Sequence, residues 1–211
     1  MLKALLLIFE PAATWEKILR ARRGIVFILA LHLLPLLLIT SVCEGYGLVH
    51  WGKPRGQEQV VAKVEVFPRG EVVIFEAAQL LLTLLMVFGC AKMLKSIDET
   101  FHGRHNYTQA FATLAYGLSP FFLLRLFDAL PAVPAWVTWS IGIILSIQVL
   151  YHGVPRMMEP DPTHGFGLFL MSGVLLLVST AIVRFITWWY LIGRLGKVEA
   201  IVSDFAARLH F

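Results

Sequence analysis

The sequence predicts an all-α, polytopic helical membrane protein. It is expected to have five transmembrane helices, an N-terminal interfacial amphipathic helix and a small extracytoplasmic loop with a candidate β-hairpin. Three observations carry this. Of 211 residues, 58% are hydrophobic and only 15% charged, where a soluble domain carries about 25% charged residues. Five apolar runs, about 24–43, 72–94, 110–128, 135–151 and 167–192, reach roughly the 18 residues needed to cross about 30 Å of hydrocarbon. Basic residues then cluster before the first run, as Lys3, Lys17, Arg20, Arg22 and Arg23. Such a cluster holds its flank in the cytoplasm, and an odd number of spans sends the C-terminus outside.

The runs occupy about half the chain, so no separate soluble domain fits in the remainder. The expected organisation is an interfacial segment, 1–23, and a five-helix membrane domain, 24–211. The net charge of +4 and pI near 9.2 form no basic stripe interleaved with aromatics outside the spans, which argues against nucleic acid.

In chain order, "MLKALLLIFEPAATWEKILRARR" opens with a short apolar piece ending at Pro11, a residue suited to the first turn of a second helix. That helix places Trp15, Ile18 and Leu19 on one side and Glu16, Lys17 and Arg20 on the other. Trp beside basic residues just before a span predicts a helix lying on the inner leaflet, with Pro11, Trp15, Arg20, Arg22 and Arg23 at the lipid or partner interface. No small-x-small cleavage site follows "LLLIF", so the first span is expected to serve as an uncleaved anchor. Cys43 and Cys90 fall at opposite ends of their spans and are expected to be unpaired thiols.

The first outer loop, 44–71, contains "QVVAKVEVF", an alternation that predicts a strand, followed by the turn signal "PRGE". "GLVHWG" is its expected hairpin partner. The loop offsets Lys53, Arg55, Lys63 and Arg69 with Glu44, Glu58, Glu65 and Glu71.

Polar residues inside hydrocarbon are costly unless paired. Glu76, Arg125, Asp128 and Arg184 fall at matching depth in the outer third of their helices and are candidates for an intramembrane polar network. The simplest reading lets the arginines snorkel to headgroups and sets Arg125 against Asp128 one turn away; a pathway lined by Glu76 and Arg184 is the alternative. His32, one turn before Pro35, is expected to satisfy a neighbouring helix or a carbonyl freed by the proline. Gly142/Ser146 and Ala115/Ser119 are small-residue pairs that let helices approach closely.

Two inner loops carry histidines: His102 and His105 in "KSIDETFHGRHNYTQ", His152 and His164 in "YHGVPRMMEPDPTHGFG". Imidazole and carboxylate could suit zinc or iron, and Glu99 with His102 has E-x-x-H spacing. A diiron bundle needs two such motifs, and H-E-x-x-H and C-x-x-C are both missing. The expected outcome is solvated loops with no metal, no cofactor and no catalytic residue, and with Arg156 facing inner-leaflet phosphates. The serines of the spans lack a G-x-S-x-G context, and no Gly-rich phosphate loop occurs.

"FEPAATWEKI", the segment "GRHNYTQAFATLAYGLSPFFLLRLF" with Tyr116, Ser119 and Pro120, and "LYHGVPRMMEPDPTHGFGLFL" together resemble the prokaryotic branch of the Yip1-domain family in order and span number. The resemblance implies an integral membrane protein with a cytoplasmic N-terminus and no established enzymatic activity. Eukaryotic relatives act in vesicle traffic and bind prenylated Rab GTPases. Here Glu10 and Pro11 adjoin without the intervening glycine of that branch, which favours a bacterial-type protein of the inner membrane.

The expected function is therefore non-enzymatic, acting through association with membrane lipids or other membrane proteins, copies of itself included. A small solute or ion transporter or channel is the alternative, and a metal-dependent membrane enzyme the third.

Overall fold

The computed structural model describes residues 2–55, 63–101, 106–160, 164–195, 198 and 200–204. Two short helices, α1 (Leu2–Phe9) and α2 (Pro11–Ala21), precede five long ones. These are span 1 (Ile25–His50), span 2 (Arg69–Thr100), span 3 (Tyr107–Ala129), span 4 (Ala135–Met157) and span 5 (Gly165–Leu191), each long and apolar enough to cross a bilayer. Leu81, Leu85, Ile144, Val174, Val178 and Ile182 are exposed on their surfaces. An apolar belt of that extent is a membrane-facing surface, and the chain is an integral membrane protein.

Span 3 is the central helix: 78% of its most apolar window is buried, against 28–44% in the other four. It starts at a capping box, where the Asn106 amide donates to Gln109 Oε1 at 3.0 Å. It breaks at "GLSP". A helix over Tyr107–Gly117 stops, a second over Ser119–Leu124 restarts with Pro120 in its first turn, and a 3-10 turn over Arg125–Ala129 ends the span. The close approach expected of the small residues occurs here. Gly142 lies against the Phe121 Cα, and the Phe121 amide donates to Ser146 Oγ at 3.3 Å.

Span boundaries run longer than the hydropathy windows, because a polar residue ends an apolar window without ending a helix. Span 1 continues through Glu44 to His50, and span 4 continues through Tyr151 to Met157 with Pro155 inside it. "GLVHWG" is accordingly not a strand: Gly47–His50 is the last turn of span 1. A two-stranded antiparallel ladder instead pairs β1 (Lys53–Arg55) with β2 (Lys63–Glu65), Pro54 opposite Val64. Gly52, at φ +68°, turns the chain into it, and a Cβ there would collide with the Glu65 carbonyl.

The N-terminal helices change the expected picture most. The polar side of α2 is exposed at Glu16, Lys17 and Arg20, as an amphipathic helix requires. Its apolar side packs on span 4 and not on lipid. Trp15, expected at the lipid interface, is 0% exposed, and its indole Nε1 donates to the Val149 carbonyl at 3.0 Å. Gly153 makes room, since a Cβ there would enter the indole ring. Ahead of Pro11, α1 turns back against the broken span 3 and buries Ala4 and Leu7 completely. A large ring with one polar atom is stable in such a place only if that atom finds a partner, and the Val149 carbonyl supplies it.

Trp15→Ala removes both the packing and the hydrogen bond. Its expected cost is about 3 kcal/mol or more, measurable by equilibrium unfolding in mixed micelles. Gly153→Val, which leaves the indole no space, is expected to destabilise by about 1–3 kcal/mol.

Candidate functional site

Two carboxylates organise the end of the bundle nearest the hairpin. Glu44, from span 1, is 1% exposed. Its Oε2 accepts from Arg125 Nη2 of span 3 at 2.8 Å and from Gln79 Nε2 of span 2 at 2.8 Å. Lys53 Nζ of β1 stands 3.7 Å from its Oε1. Asp128, also from span 3, accepts from Arg184 Nη2 of span 5 at 2.9 Å and from the Thr138 hydroxyl of span 4. Arg184 donates further to the Ala135 carbonyl at 3.0 Å.

All five spans therefore meet at one polar layer. Both arginines are buried, and each guanidinium is directed at a carboxylate on another helix. Arg125 does not take Asp128, its expected partner one turn away, as its bonded carboxylate; the two belong to separate ion pairs. What permits this is backbone contact. A Cβ on Gly47 would collide with the Ala129 carbonyl, so the glycine lets span 1 settle on the 3-10 turn that carries Arg125 and Asp128.

Glu44, Gln79, Lys53 and Thr138 are members of the layer that hydropathy and spacing do not assign to it. Glu44 read as a loop charge because it ends an apolar window. The signal that could have found it is the apolar continuation "YGLVHW" after it.

Glu76 stands beside this layer and is hydrogen-bonded to none of its members. It is 8% exposed, and neither carboxylate oxygen has a hydrogen-bond donor in bonding geometry. It lines a groove of 470 Å³ between spans 1 and 2, beside Ser41, Gly45 and Tyr46. Arg184 lines other spaces. One, of 20 Å³ with Gln79 and Arg125, has room for about one water. The other, of 570 Å³, lies beneath the hairpin with Trp136 and Trp188. The expected pathway residues Glu76 and Arg184 thus face different cavities.

At the opposite end, His32 sits in a π-helical turn, Leu29–Leu33, just before Pro35. Its Nε2 is 2.8 Å from Ser119 Oγ, and its ring packs on Tyr116 with centroids 4.4 Å apart. A proline removes one backbone donor, and a π turn absorbs the register change. His32 satisfies a neighbouring helix as expected.

Beside it, a cleft of 770 Å³ opens between α2 and the start of span 3. Arg20, Arg22 and Arg23 line it with Asn106, Gln109 and Tyr116. Arg22, at φ 41° in the left-handed region, ends α2, and the Arg23 guanidinium lies 4.3 Å over the Phe27 ring. Arg156, expected to face phosphates, donates to the His152 carbonyl of its own helix at 2.9 Å.

Of the candidate metal ligands, His102 and His105 lie outside the described residues. His152 is a residue of span 4, and His164 packs on Phe101 with centroids 5.8 Å apart. Among the described residues, no three His, Cys, Asp or Glu side chains gather as a metal site.

A family model for the Yip1 domain matches residues 5–183. The chain belongs to the Yip1 domain family. The Yip1 match runs from α1 into span 5 and takes in the arginines of the cleft and Glu44, Arg125 and Asp128 of the polar layer. Comparison with curated proteins and with solved structures found no match.

Removing one partner of a buried pair strands the other charge, a loss of about 3–5 kcal/mol. Glu44→Met and Arg125→Met are each expected to destabilise by that order in micelle unfolding, and the double variant to recover most of it. An additive double variant would show the pair is uncoupled.

Proposed function

We propose that this Yip1-domain protein is non-enzymatic and acts by associating with membrane lipids or other membrane proteins, in a membrane-organising or trafficking-like role. The observation that supports this is the docking of α2. With Trp15 and Ile18 spent on the bundle, the helix is held rigidly, and its charged side (Glu16, Lys17 and Arg20) is presented outward. A helix that merely anchored the chain would spend its apolar side on lipid; here anchoring is left to the spans. The basic residues of this end suit the cytoplasmic side of a bacterial inner membrane, with the C-terminus across it. The buried ion pairs suit a scaffold, because their charges answer one another across the helices.

The test is photo-crosslinking in native membranes from probes replacing Glu16, Lys17 or Arg20. Deleting 1–23 is a poor test, because it removes core residues. Lipid or protein adducts at these positions, reduced by the charge reversal Lys17→Glu/Arg20→Glu in a folded protein, are expected. Probes that capture neither would overturn the reading.

Transport is the second reading, and Glu76 alone favours it, as a buried carboxylate with the Ser41 hydroxyl beside it and no cation bonded to it, on the wall of a groove. Cation or proton flux in proteoliposomes, lost in Glu76→Gln, would support it. Equal leak with and without the protein would remove it.

A further inference from the structure

The cleft between α2 and span 3 joins two kinds of wall. Arg20, Arg22 and Arg23 stand on one side, with the amide and hydroxyl groups of Asn106, Gln109 and Tyr116 opposite. Glu159 is the one acidic residue that lines it among the described residues, so the cleft is net positive. Leu19, Ile28 and Met157 add apolar lining, of which Leu19 is the half-buried and accessible part. Arg20 is held only by a 3.7 Å contact to Glu16 between two exposed side chains, which is worth little. Among the described residues, Arg22 and Arg23 take part in no ion pair. Among the described residues, the three arginines thus meet no buried carboxylate, Arg23 resting on the Phe27 ring and the Tyr116 hydroxyl, whereas both buried arginines of the polar layer are paired.

Position decides the ligand. Arg23 lies two residues before span 1 begins at Ile25, so the basic wall sits at headgroup depth and the apolar lining at the depth of the first acyl carbons. Guanidinium groups match phosphate oxygens in a fork geometry. A free anion would need the basic wall alone; a diacyl lipid uses both. We propose that this cleft binds the phosphate of an anionic glycerophospholipid, its acyl chains leaving past Leu19 toward the apolar belt of the spans. This rests on the lipid-association reading above and names its ligand class.

The test uses the full chain in nanodiscs of phosphatidylcholine, alone or mixed with phosphatidylglycerol, followed by native mass spectrometry of the lipids that stay bound. The expected result is preferential retention of phosphatidylglycerol, reduced about tenfold in Arg22→Gln/Arg23→Gln. Lys17→Gln, which removes a charge from the outer side of the same helix, should leave retention unchanged. Arg22→Lys/Arg23→Lys should rescue it only in part, because an ammonium lacks the fork. A circular-dichroism melt matched to the parent protein shows that the glutamine variant is folded; if that variant unfolds, Arg20→Gln is read the same way. Equal retention of both lipids, or a loss as large in Lys17→Gln, would overturn the proposal. So would inorganic phosphate displacing phosphatidylglycerol at millimolar concentration, which would make this a soluble-anion site. No preference between lipids, with crosslinks at α2 intact, would overturn the headgroup assignment and leave the association reading standing.

Discussion

Two buried carboxylates hold five helices in register, and most of the structure follows from where their partners stand. In hydrocarbon, helix association has little hydrophobic drive, because lipid tails are as apolar as the side chains they would release. A buried charge with a fixed partner then becomes a strong geometric constraint, since any other arrangement strands an ion. Glu44 draws spans 1, 2 and 3 together, and Asp128 draws spans 3, 4 and 5. Span 3 is the shared member, which accounts for its central, mostly buried position.

Span 3 carries both residues on its closing 3-10 turn, where side chains three apart share a side. Their side chains nevertheless reach partners on different neighbours, Arg125 the carboxylate of span 1 and Asp128 the guanidinium of span 5. The irregular backbone lies inside the bundle, where Ser146 and His32 meet its polar groups, and that is where a membrane protein tolerates such a break.

The two ends of the molecule are built differently. At the hairpin end, charges cancel within the fold. At the α2 end they do not: the helix is pinned by Trp15 and its arginines are left facing a cleft. A fold that neutralises its interior charges and leaves basic ones without a buried carboxylate at the entrance to span 1 is one whose chemistry is directed outward at that end.

Hydropathy made the five spans legible, because crossing hydrocarbon needs about 20 apolar residues whatever the fold. That Arg125, Asp128 and Arg184 share one layer was equally legible, since depth follows from distance along a span. Pairing was not. Which carboxylate Arg125 takes depends on rotation about helix axes and on Gly47 admitting the backbone of span 1, and neither is written in periodicity. Glu44 was illegible for a related reason: a charge at the edge of an apolar window looks the same whether water or an arginine awaits it. The amphipathic pattern of α2 likewise identified an apolar side without saying what would cover it. Lipid and span 4 are equally apolar; only the tertiary structure, through the space above Gly153 and the carbonyl of Val149, put Trp15 in the protein. Composition and spacing by themselves determined a five-span membrane protein with a basic entrance, because those depend on transfer from water to hydrocarbon. The ion-pair partners, the buried tryptophan and the arginine-lined cleft were decided by packing in three dimensions, because each depends on groups that the chain brings together from distant positions.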